Sequence, residues 1–401
     1  MQEVDDAQKK KGGTAAGEPL RILHVTSGLG LGGAETVLFR LISNSKNSTH
    51  EVICLGPRDW YSDQLERRGI PVHHIEFYSS STAARGSLPL YRLIRSSKAD
   101  VVQCWMSRGN AVGGLFSRIA GKRVAWNIRF STLDPLPLRS RTLARTSGRL
   151  ARWLSDYVIN CSARSQELHN HMGYTAIDGA VIPNGYDSEA FFPDEDARRG
   201  LRASFGLTDA DFVVGTIGRW HPQKGFPQLL QALRMVRDAG ITIRLLMVGR
   251  ELDDGNSDLK ALIEQSGCAG LLDLLGERDD IGAVARALDL HVLASVGAEG
   301  FPNAVAETML SGTPNVVTDI GDSELIVADT GWVVPPRNPE ALAVAIQAAH
   351  GEWLDSPEEW QLRRKAARHR IVENFSLERM VESYEQVWRR LAGRVDLSLD
   401  K

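Results

Sequence analysis

Residues 288–307 read LDLHVLASVGAEGFPNAVAE, and this stretch decides the fold class because an apolar run of strand length leads through a loop into a helix. The helix is predicted from Ala304 to Ser311, with Asn303 as its N-cap and Gly312 as its C′ residue. Ligands of open α/β sheets bind at the carboxyl ends of the strands. The loop between this strand and this helix is therefore predicted to line a binding site.

Two carboxylates, Glu299 and Glu307, stand in this unit with seven residues between them. A carboxylate accepts charge-assisted hydrogen bonds from both hydroxyls of a sugar or of a ribose diol. Backbone N–H groups of Gly300 to Asn303, left free at the helix start, can meet hydroxyl or phosphate oxygens. The pair predicts a sugar-nucleotide site. The alternative is that Glu299 caps the loop and Glu307 is a solvated helix residue.

Length and composition indicate a globular protein of two domains. The chain has 401 residues, of which 43% are hydrophobic and 24% charged, and its net charge of -3 gives no argument for nucleic acid. The four cysteines lie far apart and are predicted to be reduced core residues rather than disulfide or metal ligands. Residues 1–19 are predicted to be a disordered lead without a signal-peptide core, and no run reaches the length of a membrane span.

Strand, loop and helix alternate in two series, which predicts an α/β protein with doubly wound parallel sheets. The first series of predicted strands comprises Arg21 to Thr26, Glu51 to Leu55, Val72 to Phe77, Val101 to Trp105, Val124 to Ile128 and Tyr157 to Cys161. After the irregular segment 181–187, the second comprises Phe212 to Ile217, Ile243 to Val248, Leu271 to Leu275, His291 to Ala294 and Asn315 to Thr318. Two such domains facing each other create a cleft.

The loop after the first strand carries glycines at the G-x-G-x-x-G spacing, namely Gly28, Gly30 and Gly33. Phosphate could approach this bare backbone ahead of the predicted helix Ala34 to Ile42. A dinucleotide oxidoreductase would also need an acidic residue at the end of the next strand, to bind a ribose. The segment 51–57 ends without one, which disfavours that class.

The second series has a loop with two cations, at residues 218–226, between a strand and the predicted helix Gln228 to Val236. Arg219 and Lys224 stand where a diphosphate would need positive charge, the first as a planar fork and the second as a point charge. The alternative is that both are ordinary surface residues. His221 is predicted to be structural.

Taken together, the motifs resemble those of glycosyltransferase family 4. In chain order they are Gly32-Gly33-Ala34-Glu35, Pro183-Asn184-Gly185, Gly218-Arg219 with Lys224-Gly225, residues 275–280, residues 299–303 with Glu307, and Ser311-Gly312-Thr313-Pro314. The resemblance spans about residues 20 to 394 and implies the GT-B fold, in which two Rossmann-like doubly wound domains face each other across a cleft. The implied parts are an acceptor-side domain at 20–185, a nucleotide-sugar domain at 186–376, and a final helix at 377–394 that crosses back to the first domain.

The same resemblance implies residue roles. Arg219 and Lys224 would hold the donor diphosphate, and Glu299 would bind the sugar hydroxyls; these three form the implied catalytic set. Glu307 would bind the nucleotide ribose. The other implied donor-binding residues are Gly32 and Gly33 facing the phosphates, Arg278 near the base, and Gly300, Phe301, Pro302 and Asn303 at the sugar.

The implied reaction is retaining transfer of a sugar from a nucleotide donor, most often a UDP-sugar, to a hydroxyl of a glycan or lipid-linked acceptor. Fixed cations and helix N-termini can stabilise the departing diphosphate, so neither a metal nor another cofactor is expected. The acidic pairs at 253–254 and 279–280 are interpreted as loop or helix-start residues. The expected location is the cytoplasm, and the expectation extends to a peripheral position on the inner face of the membrane.

One departure from the family concerns a histidine that many relatives carry after the strand at 101–105 or at 124–128. The corresponding loops contain none here, and Arg108 and Arg129 are the candidates for that role and for acceptor-side contacts. The alternative is altered activity. Two other classes stay open, a GT-B binding or scaffold protein without turnover and a GT-B sugar-nucleotide epimerase.

The segment Leu138 to Leu154 is predicted to be a basic helix. Its arginines at 141, 145, 149 and 152 fall on one stripe, its leucines at 143, 150 and 154 fall on the opposite side, and Trp153 lies at the flank. The helix either buries its leucines in the core with its arginines in water, or presents the arginines to anionic lipid or to the pyrophosphate of a lipid-linked acceptor.

Overall fold

A computed structural model describes residues 18–131, 138–174, 178–297 and 299–393, without the side chains of 138–141, 143 and 144. Apart from residues 18 and 19, the predicted disordered lead lies outside this description. Two parallel sheets dominate the described residues.

The first sheet has seven strands, and helices connect most of them. In chain order its elements are β1 (Leu20–Thr26), α1 (Gly33–Asn44), β2 (Ser48–Cys54), α2 (Trp60–Arg67), β3 (Val72–His74), α3 (Ser80–Ser96), β4 (Val101–Trp105), α4 (Met106–Arg108), a π-helical turn (Gly109–Gly113), α5 (Gly114–Ile119), β5 (Val124–Ile128), α6 (Leu138–Leu154), β6 (Tyr157–Asn160), α7 (Ala163–Asn170) and β7 (Gly179–Val181). The strands lie in the order β3-β2-β1-β4-β5-β6-β7, and all their pairings are parallel.

The second sheet has six strands. Its elements are α8 (Glu195–Ser204), β8 (Val213–Ile217), a 3₁₀ turn (Pro222–Lys224), α9 (Phe226–Asp238), β9 (Arg244–Val248), α10 (Ser257–Ser266), β10 (Leu272–Gly276), α11 (Ile281–Ala287), β11 (Leu290–Leu293), α12 (Asn303–Leu310), β12 (Asn315–Thr318), α13 (Ser323–Val327), β13 (Trp332–Val334), α14 (Pro339–Asp355) and α15 (Pro357–Asn374). The strands lie in the order β10-β9-β8-β11-β12-β13, again with all pairings parallel.

Both sheets reverse their strand order at one point, between β1 and β4 in the first and between β8 and β11 in the second. Chain connections leave such a point in opposite directions, so a crevice opens there at the carboxyl ends of the strands. The loops that follow β1, β8 and β11 carry the glycines, the two cations and Glu299 respectively. The topology therefore positions the candidate residues at the two crevices.

The last helix, α16 (Leu377–Leu391), packs against the first sheet although it follows the second domain in the chain. Its Tyr384 and Trp388 are fully buried there, and the indole N–H of Trp388 donates to Oε1 of Gln103 at 3.0 Å. Tyr186 and Ser376 form a parallel bridge where the chain crosses between the domains in each direction. The last helix thus belongs to the apolar core of the first domain.

The predicted fold class is confirmed, with differences in detail. The prediction missed the three-residue strands β7 and β13. It did find β3, but that strand ends at His74 rather than at Phe77. The prediction that Asn303 is the N-cap of this helix was wrong, because α12 begins at Asn303 and its N-cap is Pro302. Gly312 has φ +79°, as expected for C′. All four cysteines are buried and unpaired, as predicted.

The basic helix α6 has the predicted bounds, but its apolar side differs from the prediction. Leu150 is 46% exposed and Trp153 56% exposed, so neither fills the core, whereas Leu154 packs against the core of the first domain. Arg145, Arg149 and Arg152 are exposed as expected. The side chains of residues 141 and 143 lie outside the described part.

Candidate active site

The loop after β8 brings Lys224 towards the loop after β11. His221 accepts a hydrogen bond from the Gln223 N–H at 3.3 Å, which caps the short 3₁₀ turn and confirms its structural role. Gly225 then takes φ +67°, and a Cβ at that position would lie 1.9 Å from the Ala294 carbonyl oxygen. Only glycine permits this approach of the two loops. As a result, Lys224 Nζ lies 2.6 Å from Glu299 Oε1.

Glu299 is a largely buried carboxylate with two partners. Its side chain is 12% exposed, and Oε1 also accepts from the Ser295 hydroxyl at 2.7 Å. Burial by itself would raise its pKa, but the charge and hydrogen bond of Lys224 outweigh it, so the pKa lies below the usual value. The carboxylate is therefore ionised at neutral pH and can accept hydrogen bonds from a ligand's hydroxyls.

The backbone that follows Glu299 lies against the first domain. The Ser131 hydroxyl donates to the Glu299 carbonyl oxygen. A Cβ on Gly300 would lie 2.8 Å from Cys161 Sγ and 3.0 Å from the Arg129 carbonyl oxygen, so a larger residue would push the domains apart. Phe301 is 6% exposed and packs on Tyr186, which fixes the loop.

Asn303 joins the α12 start to the crossing between the domains. Its Oδ1 accepts from Asn184 Nδ2 at 2.7 Å and from the Tyr186 hydroxyl at 3.0 Å, and its Nδ2 lies 3.5 Å from the Gly33 carbonyl oxygen. Asn184 in turn accepts from the Arg129 guanidinium. This network explains why the Asn303 side chain does not cap its helix.

Glu307 lies in the second turn of α12 and faces the first domain. Its Oε1 accepts from Arg40 Nη2, in α1, at 2.5 Å. The side chains of Arg40 and Glu307 are only 15% and 11% exposed, so the pair crosses between the domains away from most solvent.

The structure separates the two arginines proposed for the missing histidine. The Arg129 guanidinium lies over the Trp105 ring, 5.8 Å from its centroid, and its Nη1 is buried with no hydrogen-bond partner among the described residues. Arg108 is exposed in α4, and no described hydrogen bond or ion pair ties it to the cleft. Of the two, Arg129 is the one whose guanidinium is tied by a described hydrogen bond to Asn184.

The glycine loop presents the start of α1 to the same cleft. Gly32 precedes α1, and a Cβ there would lie 2.4 Å from Glu35 Oε2, so the Glu35 carboxylate folds back over the helix start. Burial raises the pKa of Glu35, and the positive charges of Arg219 and Arg129 offset part of that rise. Arg219 is itself exposed, with no ion pair to a described residue.

Arg278 lies beyond the end of β10 and forms an ion pair with Asp280 at 2.5 Å rather than with the Glu299 cluster. Asp280 stands at the start of α11, and the Asp253 carboxylate accepts from the Gly255 N–H at 2.8 Å within its loop. Both acidic pairs thus have the loop and helix-start positions predicted for them. No group of three or more His, Cys, Asp or Glu residues in the described ranges could hold a metal ion.

Sequence reasoning missed Arg40 and Tyr186 as members of the site. Arg40 is 267 residues from Glu307 in the chain, and nothing in its helical context distinguishes it from a surface arginine. Tyr186 directly follows the quoted Pro183-Asn184-Gly185 motif, so its position was the only available signal.

Comparison with known proteins adds two family matches. The model described as Glycosyltransferase Family 4 matches residues 31–190, and the model described as Glycosyl transferases group 1 matches residues 211–351. Together these matches cover about three-quarters of the chain, one in each domain.

Relatives of known activity agree with these matches. The Escherichia coli UDP-Gal:alpha-D-GlcNAc-diphosphoundecaprenol alpha-1,3-galactosyltransferase is 24% identical over 388 residues, which cover 92% of this chain and 96% of the relative. The Rhizobium meliloti (strain 1021) lipopolysaccharide core biosynthesis mannosyltransferase LpsB is 30% identical over 244 residues, covering 59% of this chain and 66% of the relative.

The fold also matches a solved structure. Crystalline Anabaena HepE in complex with UDP-glucose superposes with a TM-score of 0.81 at 22% identity, covering 92% of this chain and all of that one. The assignment to a family rests on three findings, namely two facing Rossmann-like domains, a family match in each domain and relatives that are sugar transferases. The chain belongs to the family 4 glycosyltransferases of the GT-B fold, and it is a glycosyltransferase.

Proposed function

We propose that this glycosyltransferase moves a sugar, with retention of anomeric configuration, from a nucleoside diphosphate donor to a hydroxyl of a lipid-linked or glycan acceptor. The observation that carries the proposal is the Lys224–Glu299 pair at 2.6 Å, set beside Arg219 at the reversal point of the second sheet. A carboxylate for hydroxyls and two cations for a diphosphate are what a sugar nucleotide requires.

The chemical step follows from these groups. The bond between the sugar's anomeric carbon and the diphosphate oxygen breaks, and its electron pair goes to the diphosphate. The acceptor oxygen bonds to the same face of that carbon, while its proton passes to the departing phosphate oxygen. Lys224 and Arg219 stabilise the negative charge that grows on the diphosphate, and Glu299 holds the sugar hydroxyls.

A uridine nucleotide is the proposed donor type. The Escherichia coli relative is named for a UDP-galactose donor, and the solved HepE structure holds UDP-glucose. Donor binding without a metal is part of the proposal because Arg219, Lys224 and the α1 start can supply positive potential to the phosphates. Arg129, whose Nη1 has no hydrogen-bond partner among the described residues, is the proposed first-domain cation in place of the family histidine.

A lipid-linked acceptor would call for attachment to a membrane, and the relative from Escherichia coli is named for a diphosphoundecaprenol substrate. Within the described residues no helix is long and apolar enough to cross a membrane. The exposed Leu150 and Trp153 of α6 lie among exposed arginines, and neighbouring α5 exposes Leu115 at 45% and Ile119 at 60%. Apolar and basic side chains together suit the surface of an anionic bilayer, so peripheral docking through α5 and α6 is proposed.

The direct test incubates the purified chain with a panel of nucleotide sugars, with and without lipid-diphosphate-linked and free glycan acceptors. Nucleoside diphosphate release is followed by chromatography and the product's anomeric signal by NMR. We expect acceptor-dependent release and a product with the donor's anomeric configuration. An inverted product contradicts retention, binding without release favours the scaffold class, and an altered donor sugar without acceptor favours the epimerase class.

A further inference from the structure

Arg40 is a first-domain residue whose side chain ends in the second domain. Its Nη2 donates to Glu307 Oε1 at 2.5 Å, and both side chains are largely buried. The guanidinium lies over the rings of Tyr186 and Phe191, 5.4 Å and 5.9 Å from their centroids. A charged hydrogen bond in such a water-poor place is strong and restricts the orientation of both groups.

Arg40 stays charged in this position. Burial alone would lower its pKa, but the Glu307 carboxylate outweighs that effect and raises the pKa above its usual value. Its Nη1 is buried and has no hydrogen-bond partner among the described residues. A buried unpaired donor costs free energy, so this arrangement is not what stability alone would favour.

The second carboxylate oxygen of Glu307 has no donor among the described residues. Oε1 takes the hydrogen bond from Arg40, whereas no described residue donates to Oε2. An ionised carboxylate has about four lone-pair positions, so binding Arg40 does not exhaust its capacity. Arg40 therefore holds the carboxylate at Oε1, and Oε2 keeps its capacity to accept hydrogen bonds.

We propose that Arg40 is a positioning residue for the donor: by holding Oε1 of Glu307 it directs Oε2 towards the nucleotide's ribose diol. Ribose binding then depends on contact between the two domains, because Arg40 belongs to the first and Glu307 to the second. This inference rests on the ribose role that the proposed function gives to Glu307.

The test measures a preference rather than an affinity alone. By calorimetry, the wild type is titrated with UDP, GDP and ADP, and then with the 2′,3′-dideoxy counterpart of whichever binds best. We expect the ribonucleotide to bind more tightly than the dideoxy form. Arg40→Ala should reduce that ratio about tenfold, and Arg40→Lys, which keeps the charge but not the fork, should reduce it less.

Two control variants separate positioning from stability. Arg363→Ala breaks a comparable pair with Glu352, 2.7 Å long, in the helices α14 and α15 of the second domain. It should lower the melting temperature and leave the ratio unchanged. Arg219→Ala should weaken both nucleotides equally, because its proposed contact is the diphosphate.

Failure of the inference and failure of the proposed function give different results. If Arg40→Ala does not fold, Arg40→Lys still carries the test, since it retains the buried charge. A wild-type ratio in the folded Arg40 variants, with only the melting temperature lowered, overturns the inference and leaves the proposed function standing. A wild type that binds no nucleoside diphosphate overturns the proposed function and the inference with it.

Discussion

Replacing Lys224 with methionine should destabilise the protein by leaving the Glu299 carboxylate without its cation. Removing one partner of a buried ion pair costs about 3–5 kcal/mol. The Lys224 and Glu299 side chains are 25% and 12% exposed, so water can solvate part of the site. We therefore expect a loss of about 2–3 kcal/mol in the free energy of unfolding at pH 7. Methionine keeps most of the side-chain volume, which limits any cavity effect.

The loss should depend on pH. In the wild type the pKa of Glu299 is lowered in the folded state, so its contribution is present above the unfolded pKa of about 4.3 and is lost as the pH falls. Without Lys224, only the Ser295 hydrogen bond and the Arg219 charge oppose the effect of burial, so we expect the folded pKa of Glu299 to lie above its unfolded value. The contribution of Glu299 to stability is then fully present below its unfolded pKa and is lost as the pH rises. The difference between the two proteins should therefore grow from pH 4 to pH 7.

The assay is urea unfolding followed by tryptophan fluorescence at pH 4.5, 5.5 and 7.0. The matched control is the double variant Lys224→Met with Glu299→Gln, which removes the stranded charge and should recover most of the loss at pH 7. A difference that is the same at all three pH values, or a double variant as unstable as the single one, would show that the unpaired Glu299 charge is not the cause of the loss.

Three further outcomes are expected. Transfer should survive EDTA if Arg219 and Lys224 supply the positive charge, as proposed; abolition with rescue by manganese would contradict this. The double variant Arg145→Glu with Arg149→Glu should co-sediment less with anionic liposomes at low salt than the wild type does. The control double variant Lys260→Glu with Lys365→Glu makes the same change in charge elsewhere and should co-sediment like the wild type. Equal co-sedimentation of the two double variants would mean that α6 does not bind the membrane. Burial lowers the pKa of His50 to about 4, so His50 should contribute to a fall in stability as the pH drops from about 6.5 towards 4. Urea unfolding of His50→Phe should show a shallower dependence rather than a flat one, because buried histidines with lowered pKa values remain, among them His169 and His291; a dependence as steep as that of the wild type would rule out His50.

The sequence predicted the fold well because the strands of a doubly wound sheet are buried on both faces. The strands at 101–105, 124–128 and 315–318 were predicted with their observed bounds, since each is a short apolar run between turn residues. The three-residue strand at 179–181 begins with glycine and carries no comparable pattern. Strands of that length are defined by their neighbours rather than by their own residues.

The site was predictable where its residues follow strands and not where they meet across the domains. Arg219, Lys224 and Glu299 could be placed by topology, because the carboxyl ends of β8 and β11 adjoin. Arg40 could not, since its contact depends on how the two domains pack. The exposure of Leu150 was also missed. Helical periodicity predicts which residues share a face of the helix, but it does not predict whether other residues pack against that face.

The proposed division of roles places Arg219 at the donor diphosphate, Glu307 at the ribose and Glu299 at the sugar. The decisive measurement is isothermal titration of the wild type, Arg219→Ala, Glu307→Ala and Glu299→Ala with the preferred nucleoside diphosphate. We expect losses of about 1.5–3 kcal/mol in binding free energy for the first two variants. We also expect near wild-type affinity for Glu299→Ala, whose loss should appear in turnover instead. Unchanged affinity in both Arg219→Ala and Glu307→Ala would show that these roles are wrong.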